Sequence, residues 1–305
     1  MQTKSETGNR IGILGVLATK AAKLFKAVKL LKVTQFLLTS SSMALSIVVY
    51  SFSMGIMFAT GFVAVLFIHE MGHVAAMRIK GYPTKAPVFI PFFGAAVFVP
   101  GFHTPEDEAF IGYGGPFAGM LISALLYGLW LAHPEHPIGM LRLSYISTFI
   151  NLFNLIPIRP LDGGRITQIV GSWFRYVSLA CFLGYVVYAG EPDLLFLVVL
   201  FLTEMKIDGQ VRFAAGLLVQ IALLFFWITG HSKESLFGFI FTMLLLSVIN
   251  WMLWVKRGTN NVEEEEFVVA PSETRFRWFM AYATLGAILI ALMHVQLPLL
   301  PPVKP

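Results

Sequence analysis

From residue 36 onward the chain is a succession of long apolar runs separated by short polar breaks. A helix needs about 20 mostly apolar residues to cross the hydrocarbon of a bilayer. The stretch 36–77 is too long for one crossing and holds Gly55 and Gly61, so it divides into crossings at 36–54 and 56–77. Further candidates run over 112–132, 143–158, 174–190, 193–205, 212–229, 236–255 and 278–295, with 143–158 and 193–205 short. Short or proline-interrupted segments read as broken, tilted or partly inserted helices. The pattern predicts an all-α polytopic membrane protein, a multi-helix transmembrane bundle. One segment breaks the series. "APVFIPFFGAAVFVPG", 86–101, is apolar but carries Pro87, Pro91 and Pro100 and is short for a crossing. Both its ends fall on one side, so a re-entrant or interfacial element is expected in place of a spanning helix, provided its backbone groups find partners.

Composition agrees with this class. Of 305 residues 57% are apolar and 13% charged, against about 25% charged in a soluble domain. The formal net charge is +5, but the basic groups flank the apolar runs and read as orientation signals, not as a nucleic-acid surface. Threading nine crossings from a cytoplasmic N-terminus puts all of the 22 Lys and Arg inside except Arg142, Lys233 and Lys304. The loops "HPEHP" and "GEPD" then face outward without a lysine or arginine. Lys20, Lys23, Lys26, Lys29 and Lys32 precede the first run; a three-residue step circles a helix, so they form a basic segment without a clean polar face. That first run lies too far in and is too long for a cleavable signal peptide. The lone Cys181 excludes an intrachain disulfide. "GYGGPFAG", 112–119, sets Gly115 and Gly119 four apart, a face that lets helices approach closely. "NNVEEEEFVVAPSETRFR", 260–277, is the one sizeable polar loop, and its four adjacent glutamates read as a solvated face.

Within the second crossing stands "LFIHEMGHVAA", 66–76. Three ionisable side chains in five residues of a membrane helix need compensation. His69 and His73 are four apart, about 40° round a helix, so their imidazoles share a face and can ligate one zinc ion. Glu70 lies about 100° from His69, beside such an ion, where it can take a proton from an activated water. Zinc wants another protein ligand and an open position. The threading puts His133, His136, His231 and His294 on the far side, while His103 is on the correct side but in a loop. A better candidate is Asp162 in "NLFNLIPIRPLDGGRI", 151–166, where Pro157 and Pro160 prevent a regular helix and Gly163 and Gly164 allow a sharp turn. Asn154, in the preceding span, reads either as a donor to substrate or a developing oxyanion, or as an interhelical hydrogen bond.

"HEMGH" joined to "NLIPIRPLDGG" resembles the site-2 protease family of intramembrane zinc metalloproteases. The resemblance implies zinc bound by His69, His73 and Asp162, Glu70 as base, and Asn154 positioning substrate or polarising the scissile bond. It also likens 88–99 to the family's strand-like element that pairs with an unwound substrate, and Gly115–Pro116 to its glycine–proline helix start. The expected organisation is a basic cytoplasmic segment 1–35, a catalytic transmembrane core 36–166, and further transmembrane helices over 167–305 with a polar cytoplasmic loop 256–277. Neither a PDZ-like insertion nor a nucleotide-sensing module is found. The implied partners are the lipid bilayer and transmembrane segments of substrate proteins, and the implied setting is a bacterial cell membrane. Two rivals stay open. A zinc or ion transporter would need ligands along a route to the far side, and a non-cleaving protease-like scaffold would show a lost base or ligand.

Overall fold

The computed structural model describes residues 33–91, 94–97, 101–159, 161–189, 209–229 and 270–301, with Val198, Thr242, Met243, Leu246 and Ser247. The basic segment to residue 32, nearly all of the crossings 193–205 and 236–255, and the glutamate run lie outside the described residues. The described chain is a bundle of α-helices with one two-stranded sheet. Helix α1 spans Val33–Met54 and α2 Ile56–Ile79. They meet at Gly55, whose φ of 78° is open to glycine and strained for other residues, which is why the long apolar run divides there. Both are long and apolar enough to cross a membrane, as are α3, Pro105–Ala132, and the final helical stretch Ser272–Leu299. Phe52 and Met57 expose 87% and 90% of their surface, which suits lipid and not water.

After α2 the segment expected to be β-like forms a hairpin. Strand β1, Val88–Ile90, pairs antiparallel with β2, Gly94–Ala96, with Phe89 opposite Ala95. Its outer edge is closed by α1: the Thr39 hydroxyl donates to Pro87 O at 2.7 Å and Phe89 N–H donates to Ser42 Oγ at 3.1 Å. Phe89 packs with Tyr50, Ala59 and Val63, which seats the hairpin on α1 and α2.

Helix α3 begins seven residues before the apolar run does. Thr104 Oγ1 accepts from Asp107 N–H at 3.1 Å, Pro105 takes the first position, and Glu106, Asp107 and Glu108 face the positive end of the helix. This cap starts the helix early, so Gly115 and Pro116 lie within it and do not begin it. Helix α4, Ile138–Asn154, likewise starts earlier and stops sooner than 143–158, because Pro157 cannot continue it. The chain then turns tightly, with Leu161 N–H bonded to Ile158 O at 2.9 Å, and enters the short helix α5, Asp162–Thr167. Gly163 and Gly164 are required there, since a Cβ on either would overlap the backbone of 155–159.

Helices α6, Ser172–Ala189, and α7, Gly209–Ile228, follow, and α8 spans Ser272–Gln296. Residues 272–277, read as the end of the polar loop, form the first turns of α8, which starts after Pro271. Leu285 and Leu289 of α8 are buried with Met120, Leu155 and Ile166. Tyr282 donates to Leu155 O at 2.5 Å, so α8 braces the turn that leads to Asp162.

Candidate metal centre

Helix α2 carries His69 and His73 about 15 and 9 Å inside its C-terminal end, ten and six residues before Ile79. Asp162 opens α5 and is buried with them. The three meet although 93 residues separate His69 from Asp162. His69 Nε2 and His73 Nε2 are 3.2 Å apart, and Asp162 Oδ2 stands 3.1 Å from the first and 3.2 Å from the second. Glu70 offers a carboxylate oxygen to the same group: His69, Glu70 and His73 present ligand atoms all within 4.8 Å of one another.

What holds these side chains is equally specific. His73 Nδ1 bonds the Ile111 carbonyl of α3 at 2.7 Å, and His69 Nδ1 bonds Asn151 Oδ1 of α4 at 2.7 Å. Glycines on α3 open the space. A Cβ at Gly115 would overlap His73 Nε2 and stand 2.7 Å from His69 Nε2, and one at Gly119 would overlap the Asn151 amide. At Gly112 a Cβ would press on Arg165 Cβ at 3.1 Å and lie 3.4 Å from Asp162 O. Positions 112, 115 and 119 thus form one stripe along which α3 approaches the site.

The donor set fits a divalent transition ion. Three ligands held at about 2.0–2.1 Å in tetrahedral geometry stand roughly 3.3 Å apart, close to the triangle found here. With Nδ1 of each ring turned to an oxygen acceptor, the two neutral rings aim lone pairs and Asp162 a carboxylate oxygen at one point. Such a set needs a cation or shared protons between its members.

The residues line a cavity of about 520 Å³ bounded by α1, α2, β2, α3, α4 and α5. Glu70 and Asn154 face it, together with Arg165, Tyr50 and Ala95. Asn154 lies in the last turn of α4, and its Nδ2 donates to Ile150 O at 3.1 Å. His103 is elsewhere: its ring stacks on Tyr82 at 4.9 Å and its N–H donates to Tyr82 Oη at 2.6 Å. His133 and His136 lie in the loop between α3 and α4.

No family model matches the chain. Individual proteins do. Over 147 residues the chain is 29% identical to zinc metalloprotease MJ0392 of Methanocaldococcus jannaschii, covering 47% of this chain and 42% of that protein. Rip3 of Mycobacterium tuberculosis is 29% identical over 155 residues, or 48% of this chain and 39% of that protein. In sll0528 of Synechocystis the match is 29% over 129 residues, 38% of this chain and 33% of that protein. The last two carry zinc metalloprotease as a provisional name. Over 38–48% of its length, then, the chain is similar to proteins named zinc metalloproteases. That relationship agrees with the site-2 protease resemblance carried by the motifs. The matches span less than half the length of each relative.

Sequence reasoning passed over Asn151 in favour of Asn154. The signal was present: Ser144, Ser147, Thr148 and Asn151 recur at i, i+3, i+4 and i+7 within an apolar run, one polar face of α4. All four are buried.

Proposed function

We propose that this protein is a zinc-dependent intramembrane endopeptidase that hydrolyses peptide bonds in or near transmembrane segments of membrane proteins. The observation that carries the proposal is the 3.1–3.2 Å triangle of His69, His73 and Asp162, with Glu70 beside it, on the wall of a cavity inside an apolar bundle. His69, His73 and Asp162 would hold the ion. Zinc in such a site supplies a Lewis acid that polarises a carbonyl and lowers the pKa of water.

The remaining steps belong to the chain. Glu70 accepts a proton from the attacking water and returns it to the departing amine nitrogen. Asn154 spends one N–H on Ile150 and has a second to donate to the substrate's carbonyl oxygen as charge develops there. A transmembrane substrate hides its peptide bonds behind its own hydrogen bonds and must unwind locally. Strand β2 faces the cavity through Gly94 and Ala95, while β1 lies between it and α1. Its other edge pairs with no strand among the described residues, so it can accept an extended substrate by strand addition. The positive-inside bias sets the N-terminus and the site toward the cytoplasm of a multi-pass protein in a cell membrane.

The test compares membrane proteomes of cells carrying wild type and Glu70→Gln, alongside the zinc content of both purified proteins. Glu70→Gln keeps the metal and loses cleavage by at least about 100-fold, so single-span substrates accumulate uncut. Unchanged processing in the Glu70→Gln strain, or a wild-type protein without stoichiometric zinc, rejects the proposal.

A further inference from the structure

Asn151 is a polar residue in the last turn of the largely apolar helix α4, yet it is only 2% exposed. Its amide orientation is fixed by its surroundings. Nδ2 lies 2.7 Å from Ser147 O, which can only accept, so the other end of the amide must be the carbonyl. That carbonyl oxygen lies 2.7 Å from His69 Nδ1 and can only accept in turn. The proton of a neutral His69 therefore sits on Nδ1, leaving the Nε2 lone pair directed at His73 Nε2 and Asp162 Oδ2. His73 is set the same way by the backbone carbonyl of Ile111.

We infer that Asn151 is a positioning residue that holds His69 in the tautomer and ring orientation needed to ligate a metal ion. The inference rests on the metal-centre reading above and adds a residue to it. Asn151 is in turn held by a buried polar ladder. The Ser147 and Ser123 hydroxyls bond each other at 2.7 Å, and the Ser144 hydroxyl donates to Ser123 O at 2.6 Å. Gln296, at the end of α8, donates to Ser144 Oγ at 2.7 Å. Gly119 supplies the room, since any side chain there would occupy the space of the Asn151 amide. Without the acceptor, His69 Nδ1–H is buried and unpaired, and the ring turns or shifts its proton to Nε2, where a metal cannot bind. Loss of such an outer partner typically weakens metal binding about 10- to 100-fold.

The experiment measures zinc affinity of the full chain in detergent by competition with a chromogenic chelator. It uses wild type, Asn151→Ala, Asn151→Leu, Asn151→Asp and Asn154→Ala. Asn151→Ala and the size-preserving Asn151→Leu lose about 10- to 100-fold in affinity. Asn151→Asp keeps the acceptor for His69 but sets its second oxygen against Ser147 O, so it retains more zinc affinity than Asn151→Leu without reaching wild type, and Asn154→Ala keeps zinc although it faces the substrate cavity. A second readout needs no variant: the nitrogen-15 shifts of His69 in the metal-free wild type report an Nδ1–H imidazole. Wild-type affinity in both Asn151→Ala and Asn151→Leu overturns the inference, as does an Nε2–H tautomer in the wild type. Should the wild type bind no zinc, the metal-centre reading fails, and the tautomer measurement still decides whether Asn151 sets His69.

Discussion

At the scale of single residues, the site depends as much on what is missing as on what is present. Gly115 has no side chain, and the space that frees is filled by the Nε2 atoms of His73 and His69. Gly115→Ala pushes a methyl group into the point where the three ligand atoms converge. It is expected to weaken zinc binding at least tenfold, read by chelator competition, while Glu70 and Asn154 stay in place. The sequence offered Gly115 and Gly119 as a packing face, and the structure gives them that role and another: one clears the histidine pair, the other clears Asn151. A motif names ligands by their chemistry. It cannot show which glycine those ligands displace.

At the scale of elements, α2 and α3 are locked together by contacts that leave little slack. A Cβ at Gly72 of α2 would overlap Gly114 O of α3 and stand 2.7 Å from Ala118 Cβ. Gly72→Ala therefore forces α2 and α3 apart, at a cost of about 1–3 kcal/mol. Thermal unfolding in detergent should show the lower midpoint, with zinc affinity falling too, because His73 loses its register with the Ile111 carbonyl. On the opposite side of the ladder, Gln296 is fully buried and bonds Ser144 and Thr148 at 2.7 and 3.3 Å. Gln296→Leu removes both bonds and should lower stability by about 1 kcal/mol, in line with modest hydrogen-bond energies between membrane helices. The same unfolding assay checks it. The hairpin was legible as a proline-rich apolar insertion that could not cross. Its pairing register, and the edge that faces the cavity, depended on Thr39 and Ser42 of a distant helix.

At the scale of the molecule, charge and chemistry share one end of the bundle. Lys80 pairs with Asp107 at 2.8 Å and Arg159 with Glu108 at 2.6 Å, tying the end of α2 and the turn after α4 to the start of α3. The same end leads to Asp162, so the proposed ligands from two distant segments converge where the flanking basic groups gather. A metal that binds the folded chain and not the unfolded one must stabilise it. At free zinc 100-fold above the dissociation constant the gain is about 2.7 kcal/mol. Removing zinc with a chelator should therefore lower the unfolding midpoint of the wild type. The same treatment should leave that of a folded His69→Ala variant, which lacks the site, unchanged.

The sequence by itself determined the bundle, the paired histidines on one helix face and the carboxylate that could join them. Hydrophobic period, helical spacing and proline placement are local properties, and local properties can be read along a chain. Only the tertiary structure decided that Asp162 reaches both imidazoles and that Asn151, three residues before the asparagine singled out, turns to His69. It also decided that α8, which carries no site motif, closes the polar ladder behind them. Those outcomes depend on how closely helices approach, and that is set by glycines and hydroxyls whose partners lie up to 152 residues away.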